Sequence, residues 1–128
     1  MKTKSRLALL ICVFAIPLSL QAQRATDPLE TGTDFLRQCD EGRLNRSDAV
    51  AAAQYMRCMG YIQGFLEGHT VLIAVSGAKP SYCYPENVDT GQVRRIVIKF
   101  LRDDPEKTHL AVSVLVEKAL IDAFPCPK

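Results

Sequence analysis

Four cysteines, Cys39, Cys58, Cys83 and Cys126, constrain this chain more than any other feature, because they fall in what reads as an exported domain too small for a large core. Export is read from the N-terminus. Lys2, Lys4 and Arg6 precede an apolar run from Leu7 to Leu20, with the small Ala22 just beyond, so residues 1–22 are expected to be a cleaved secretory signal. Cys12 leaves with them, and it follows Ile11 rather than the small residue a lipid anchor needs. The remaining four form an even set whose separations of 19, 25 and 43 residues contain no short pair of the kind zinc ligation uses. Two disulfides in the periplasm or outside the cell are the expectation.

Cleavage leaves one domain, residues 23–128, with 13 Lys and Arg against 14 Asp and Glu. A net charge of −1 supplies no basic field for nucleic acid or anionic lipid, and neither is an expected partner. With 48% hydrophobic and 23% charged residues the chain has the balance of a globular protein. No later apolar stretch approaches the ~18 to 20 residues of a membrane span.

The periodicity predicts an all-α fold, a small bundle of about four helices. A frayed lead-in over 23–32 precedes a short helix over Asp34–Gln38, capped by Thr33. Ser47 caps a long, proline-free helix to about Val75, which Gly77 ends. After an irregular connection carrying Pro80, Cys83 and Pro85, a third helix spans about Gly91 to Asp103. It places Val93, Ile96, Val97, Phe100 and Leu101 inward and Arg94, Arg95, Lys99 and Arg102 outward. The last helix runs from a Thr108 cap to about Phe124, with Val112, Val116, Ala119, Leu120 and Ala123 inward. Clusters of β-branched residues over 95–99 and 110–116 invite a strand reading, but strict alternation fails in both.

Gly60, Gly64 and Gly68 recur every four residues in the long helix, where each costs up to ~1 kcal/mol against alanine. They form a smooth strip on which a backbone can lie close, either a neighbouring helix of the same chain or a second subunit. Tyr55, Cys58, Met59, Ile62, Phe65, Leu66 and Ile73 project on the opposite side. His69 falls in the apolar arc and reads as a packed, hydrogen-bonded histidine, whereas His109 reads as a surface or cap residue. Neither belongs to a metal-ligand motif or a nucleophile–base pair, so no metal, cofactor or enzymatic activity is expected. The turn carrying Arg102, Asp103, Asp104, Glu106 and Lys107 around Pro105 is a charged, proline-stiffened tip of the kind that can enter a partner's cleft.

These residues together resemble a known family. Cys58-Met59-Gly60-Tyr61-Ile62-Gln63-Gly64, then Cys83-Tyr84-Pro85 and Gln92, then Phe100-Leu101 with Asp104-Pro105-Glu106 and His109-Leu110, and finally Ala119-Leu120 and Ala123-Phe124-Pro125-Cys126, are similar to the Rap/Tai family of type VI secretion immunity proteins. The likeness runs from about Cys39 to Cys126 and departs from the family at Asp104, where a histidine is expected before Pro-Glu. It implies a small helical periplasmic protein, commonly a homodimer, that blocks a peptidoglycan amidase toxin. Inhibition would come by occluding the toxin's active-site groove with a projecting loop such as residues 102–107. Two rival classes are a periplasmic acid-stress chaperone and a small secreted hydrolase dependent on His69.

Antiparallel packing of the last two helices would set the start of one beside the end of the other and pair Cys83 with Cys126, leaving Cys39 for Cys58. Each bridge would contribute roughly 2 to 4 kcal/mol. A homodimer is expected because the long helix has two packing faces and a short chain has few partners for both.

Overall fold

The computed structural model describes residues 28–40 and 48–127, and the signal segment and the Ser47 cap lie outside them. Four helices carry the fold: α1 (Gly32–Cys39), α2 (Ala49–Ser76), α3 (Thr90–Asp103) and α4 (Val112–Ala123), with a 3-10 turn over Pro105–Lys107 between the last two. No strand occurs among the described residues. The chain approaches one only where Thr31 pairs with Ala111 in a single antiparallel bridge.

The cap of α1 is Thr31 rather than Thr33. Two positions earlier, the Thr31 hydroxyl accepts the Asp34 amide while the Asp34 carboxylate accepts the Thr31 amide at 3.0 Å, a reciprocal box that satisfies two orphan donors. Thr31's hydroxyl bond, above all, holds the Asp34 carboxyl below its ordinary value. Nor is the lead-in frayed at its end. Val112 donates to the Glu30 carbonyl at 2.8 Å and Gly32 to the Leu110 carbonyl at 3.1 Å, while Leu29 packs on the core.

Asp48 caps α2 through its side chain, which accepts the Val50 amide at 3.0 Å. Gly77 closes the helix in the left-handed conformation, φ +67°, a geometry only glycine adopts without strain. Asp89 caps α3, so that helix opens at Thr90. The last helix begins three residues later than the Thr108 cap predicts. Thr108 instead turns its hydroxyl back to the Pro105 carbonyl at 2.9 Å, and α4 starts at Val112 once the backbone has paired with 30–32.

Phe35 and Cys39 from α1, Cys58 and Ile62 from α2, Val93, Val97 and Leu101 from α3, and Leu115, Val116 and Leu120 from α4 form one core. Helix α3 touches all three others, so its buried arc is wider than one face. Four residues of this helix differ from the expectation. Arg94, expected on the solvent side, is 1% exposed; Ile96 and Phe100, expected inside, are only half-buried; and Ile98 takes a core place. In α4, Leu115 is buried, and Ala123 is exposed because the helix ends there. Both disulfides form as expected, Cys39–Cys58 joining α1 to α2 and Cys83–Cys126 joining the 77–89 connection to the C-terminal segment.

With 28 residues α2 is about 42 Å long at 1.5 Å per residue, twice the length of α3. The shorter helices cover only part of it. Its C-terminal end therefore overhangs, leaving Val71, Leu72 and Val75 more than half exposed.

Candidate functional site

The charged turn after α3 is tied down by its own charges. Arg102 pairs with Asp40, Asp103 with Lys99, and Asp104 with Lys107 at 2.9 Å. The Asp104 carboxylate raises the Lys107 pKa, and the Lys107 ammonium lies 5.8 Å from the centroid of the Phe100 ring. His109 Nδ1 sits 2.9 Å from the Glu106 carbonyl oxygen, which places this histidine at the turn rather than at the head of α4. Of the five charged side chains expected there, Arg102, Asp103, Asp104, Glu106 and Lys107, only Glu106 has no oppositely charged partner among the described residues. The result is a rigid tip whose outward part is Pro105 and Glu106, both exposed.

Gly60, Gly64 and Gly68 lie on the open side of α2. A Cβ built on any of them meets nothing within 4 Å, so no helix among the described residues uses the strip. Exposed Met56 and Val71 lie along the same side of the helix, and Val75 follows on the overhang. The opposite side does the packing, as its spacing predicts, through Cys58 and Ile62 with half-buried Tyr61, Phe65 and Leu66 against the core.

Beside the overhang, the C-terminal half of α2 and the 77–89 connection enclose an apolar groove of about 920 Å³. His69 stacks on Tyr82 with ring centroids 4.1 Å apart, and its Nε2 is 3.2 Å from the Ser81 hydroxyl. It is thus packed and hydrogen-bonded, but at the groove edge rather than in the core. Ser81 in turn donates to the Glu117 carboxylate. Serine therefore stands between histidine and acid, whereas nucleophilic triads place histidine in the middle. Tyr82 is 3% exposed, and burial, helped by the Glu117 carboxylate, pushes its pKa up to about 12. The sequence reading overlooked this groove, although Tyr82 and Tyr84 flanking a disulfide cysteine were a visible signal. Among the described residues no three potential metal ligands come together, and no helix is long and apolar enough to cross a membrane.

No curated protein and no solved structure matches this chain. One family model does match, that of the Rap1a immunity proteins, over residues 31–126, from the capping threonine of α1 to the last cysteine. Four helices, two disulfides and the matched span together place the chain in the Rap1a immunity protein family.

Proposed function

We propose that this protein is a periplasmic immunity protein that binds a type VI secretion effector, a peptidoglycan amidase, and blocks its active site. Family membership over almost all of the described chain carries the reading. The signal-like N-terminus and the two disulfides support a periplasmic location, which is where a wall-cleaving toxin must be met.

Blocking needs no chemistry from this chain, only a rigid surface of complementary shape. The turn over 102–107 supports that role: ion pairs and the 3-10 backbone fix it in advance, so little entropy is lost on docking. Pro105 and Glu106 would enter the effector's groove, with Arg102, Asp103, Asp104 and Lys107 holding the shape. A homodimer through the open face of α2 is part of the proposal, supported by the unoccupied glycine strip and by exposed Met56, Val71 and Val75.

Calorimetry of the purified protein against amidase effectors from the same or a rival strain tests the function, with stoichiometric binding expected. Undetectable binding to all of them overturns it. A variant carrying Asp103→Ala, Asp104→Ala and Glu106→Ala should weaken binding by about 2 to 5 kcal/mol where the tip is buried in the complex. Unchanged affinity of that variant removes the tip from the contact and leaves the function standing.

A further inference from the structure

We infer that the groove between the C-terminal half of α2 and the 77–89 connection is a second seat for the effector, and that it takes an apolar segment bearing an arginine or lysine. The occupant rests on the immunity reading above; the chemistry of the seat does not.

The groove is built before anything enters it. Cys83 is bonded to Cys126 and donates its amide to the Phe124 carbonyl at 2.8 Å, which pins the connection to the end of α4. Tyr84 closes the next turn by donating its hydroxyl to the Val88 carbonyl. Across one end, the Thr90 hydroxyl donates to Gln63 Oε1 at 2.8 Å, joining the start of α3 to α2. At the other end the His69–Tyr82 stack joins α2 to the connection. An irregular segment held at this many points keeps its shape, and a pre-shaped groove spares a ligand the cost of ordering it.

Its charges select the ligand. Leu66 and Ile73 on one wall and Tyr82, Tyr84 and Val88 on the other make the groove mostly apolar. Two carboxylates, Glu67 and Asp89, also line it, and among the described residues no lysine or arginine does. Glu67 accepts only the Gln63 side-chain amide, at 2.6 Å, and Asp89 accepts the Gln92 backbone amide at 2.7 Å. Neither is paired with a cation among the described residues, in contrast to the 102–107 turn, whose charges are mostly spent within the chain. A cation brought in on an apolar segment meets two carboxylates that no cation pairs among the described residues, and both attract it. An acidic or wholly polar segment would gain from neither.

The test uses the full mature chain and the same purified amidase effectors. Glu67→Lys reverses one wall charge, and Thr70→Trp fills the groove from an exposed position on α2; circular dichroism melting confirms that both variants fold. Each should weaken effector binding at least tenfold, and a photo-crosslinking residue at position 70 should join an effector peptide containing arginine or lysine among apolar residues. Binding by the wild type with both variants unchanged overturns the seat alone. Failure of the wild type to bind any amidase overturns the immunity reading and this occupant with it. Variants that keep effector binding but dissolve a homodimer in sedimentation assign the groove to a second copy and overturn the proposal.

Discussion

The Arg94 guanidinium is buried and donates a hydrogen bond to the backbone carbonyl of Cys39, the last residue of α1. That carbonyl is one of the orphan acceptors at the C-terminal end of a helix, where a positive charge is favoured. Tyr55 covers the same guanidinium, its ring centroid 5.3 Å away. One side chain of α3 thus joins the end of α1, the Cys39–Cys58 bridge and α2.

Arg94→Ala should therefore destabilise the protein by about 3 kcal/mol, combining a lost charged hydrogen bond with a cavity. Arg94→Met keeps most of the volume and should cost less. Urea unfolding of both variants checks this; a loss below ~1 kcal/mol for alanine would refute both contributions, and a methionine variant as stable as the wild type would show that the arginine merely fills space.

Gly32 opens α1 in a place with no room for a side chain. A Cβ there would lie 2.6 Å from Leu115 Cδ1, 2.9 Å from Leu101 Cδ2 and 3.1 Å from Thr108 Cα. The leucine tips can move, but the Thr108 backbone is held by its own hydrogen bonds. Gly32→Ala is expected to cost about 1 to 3 kcal/mol as overpacking. An unchanged melting temperature would refute it.

Gly60 and Gly64 are expected to behave in the opposite way. With open space where a Cβ would stand, alanine at each position should raise monomer stability by up to ~1 kcal/mol through helix propensity alone. If α2 self-associates along this strip, the double variant should also dissociate more readily. Thermal melting at low protein concentration reads the first effect and sedimentation velocity the second.

Tyr82 carries a buried hydroxyl with no hydrogen-bond partner. Tyr82→Phe should leave stability unchanged or raise it by up to ~1 kcal/mol, since a desolvated polar group is removed and the ring contacts with His69 remain. The folded pKa of about 12 lies above the ordinary 10.0, so the wild-type contribution is intact below pH 10 and falls as the pH rises towards 12. Alkaline unfolding monitored beside phenolate absorbance should show the phenylalanine variant losing less stability over that window.

Much of the fold was legible along the chain because local rules agree with it. The long helix, its stop at Gly77 and the packing side of Cys58 and Ile62 follow from periodicity and from one glycine's conformational freedom. Cys83–Cys126 followed from an antiparallel α3–α4 pair, which sets the start of one helix beside the end of the other, and Cys39–Cys58 followed by elimination. The 102–107 turn was visible as a dense charge run, but its tie to the end of α1 was not: Asp40 is 62 residues from Arg102, and no local pattern connects them.

Sequence by itself determined which segments are helical and which cysteines bond, because helix periodicity, proline and glycine breaks and hairpin geometry act over short ranges. Tertiary structure decided what those helices face. It buried Arg94 because α3 is surrounded by three neighbours; it left the glycine strip open because the core packs on the opposite side of α2; and it tied the lead-in to the start of α4 through backbone bonds that local sequence does not signal. The groove with its two unpaired carboxylates belongs to the same class, since Glu67 and Asp89 share a surface only after the disulfide and the Gln63–Thr90 bond draw the connection against α2.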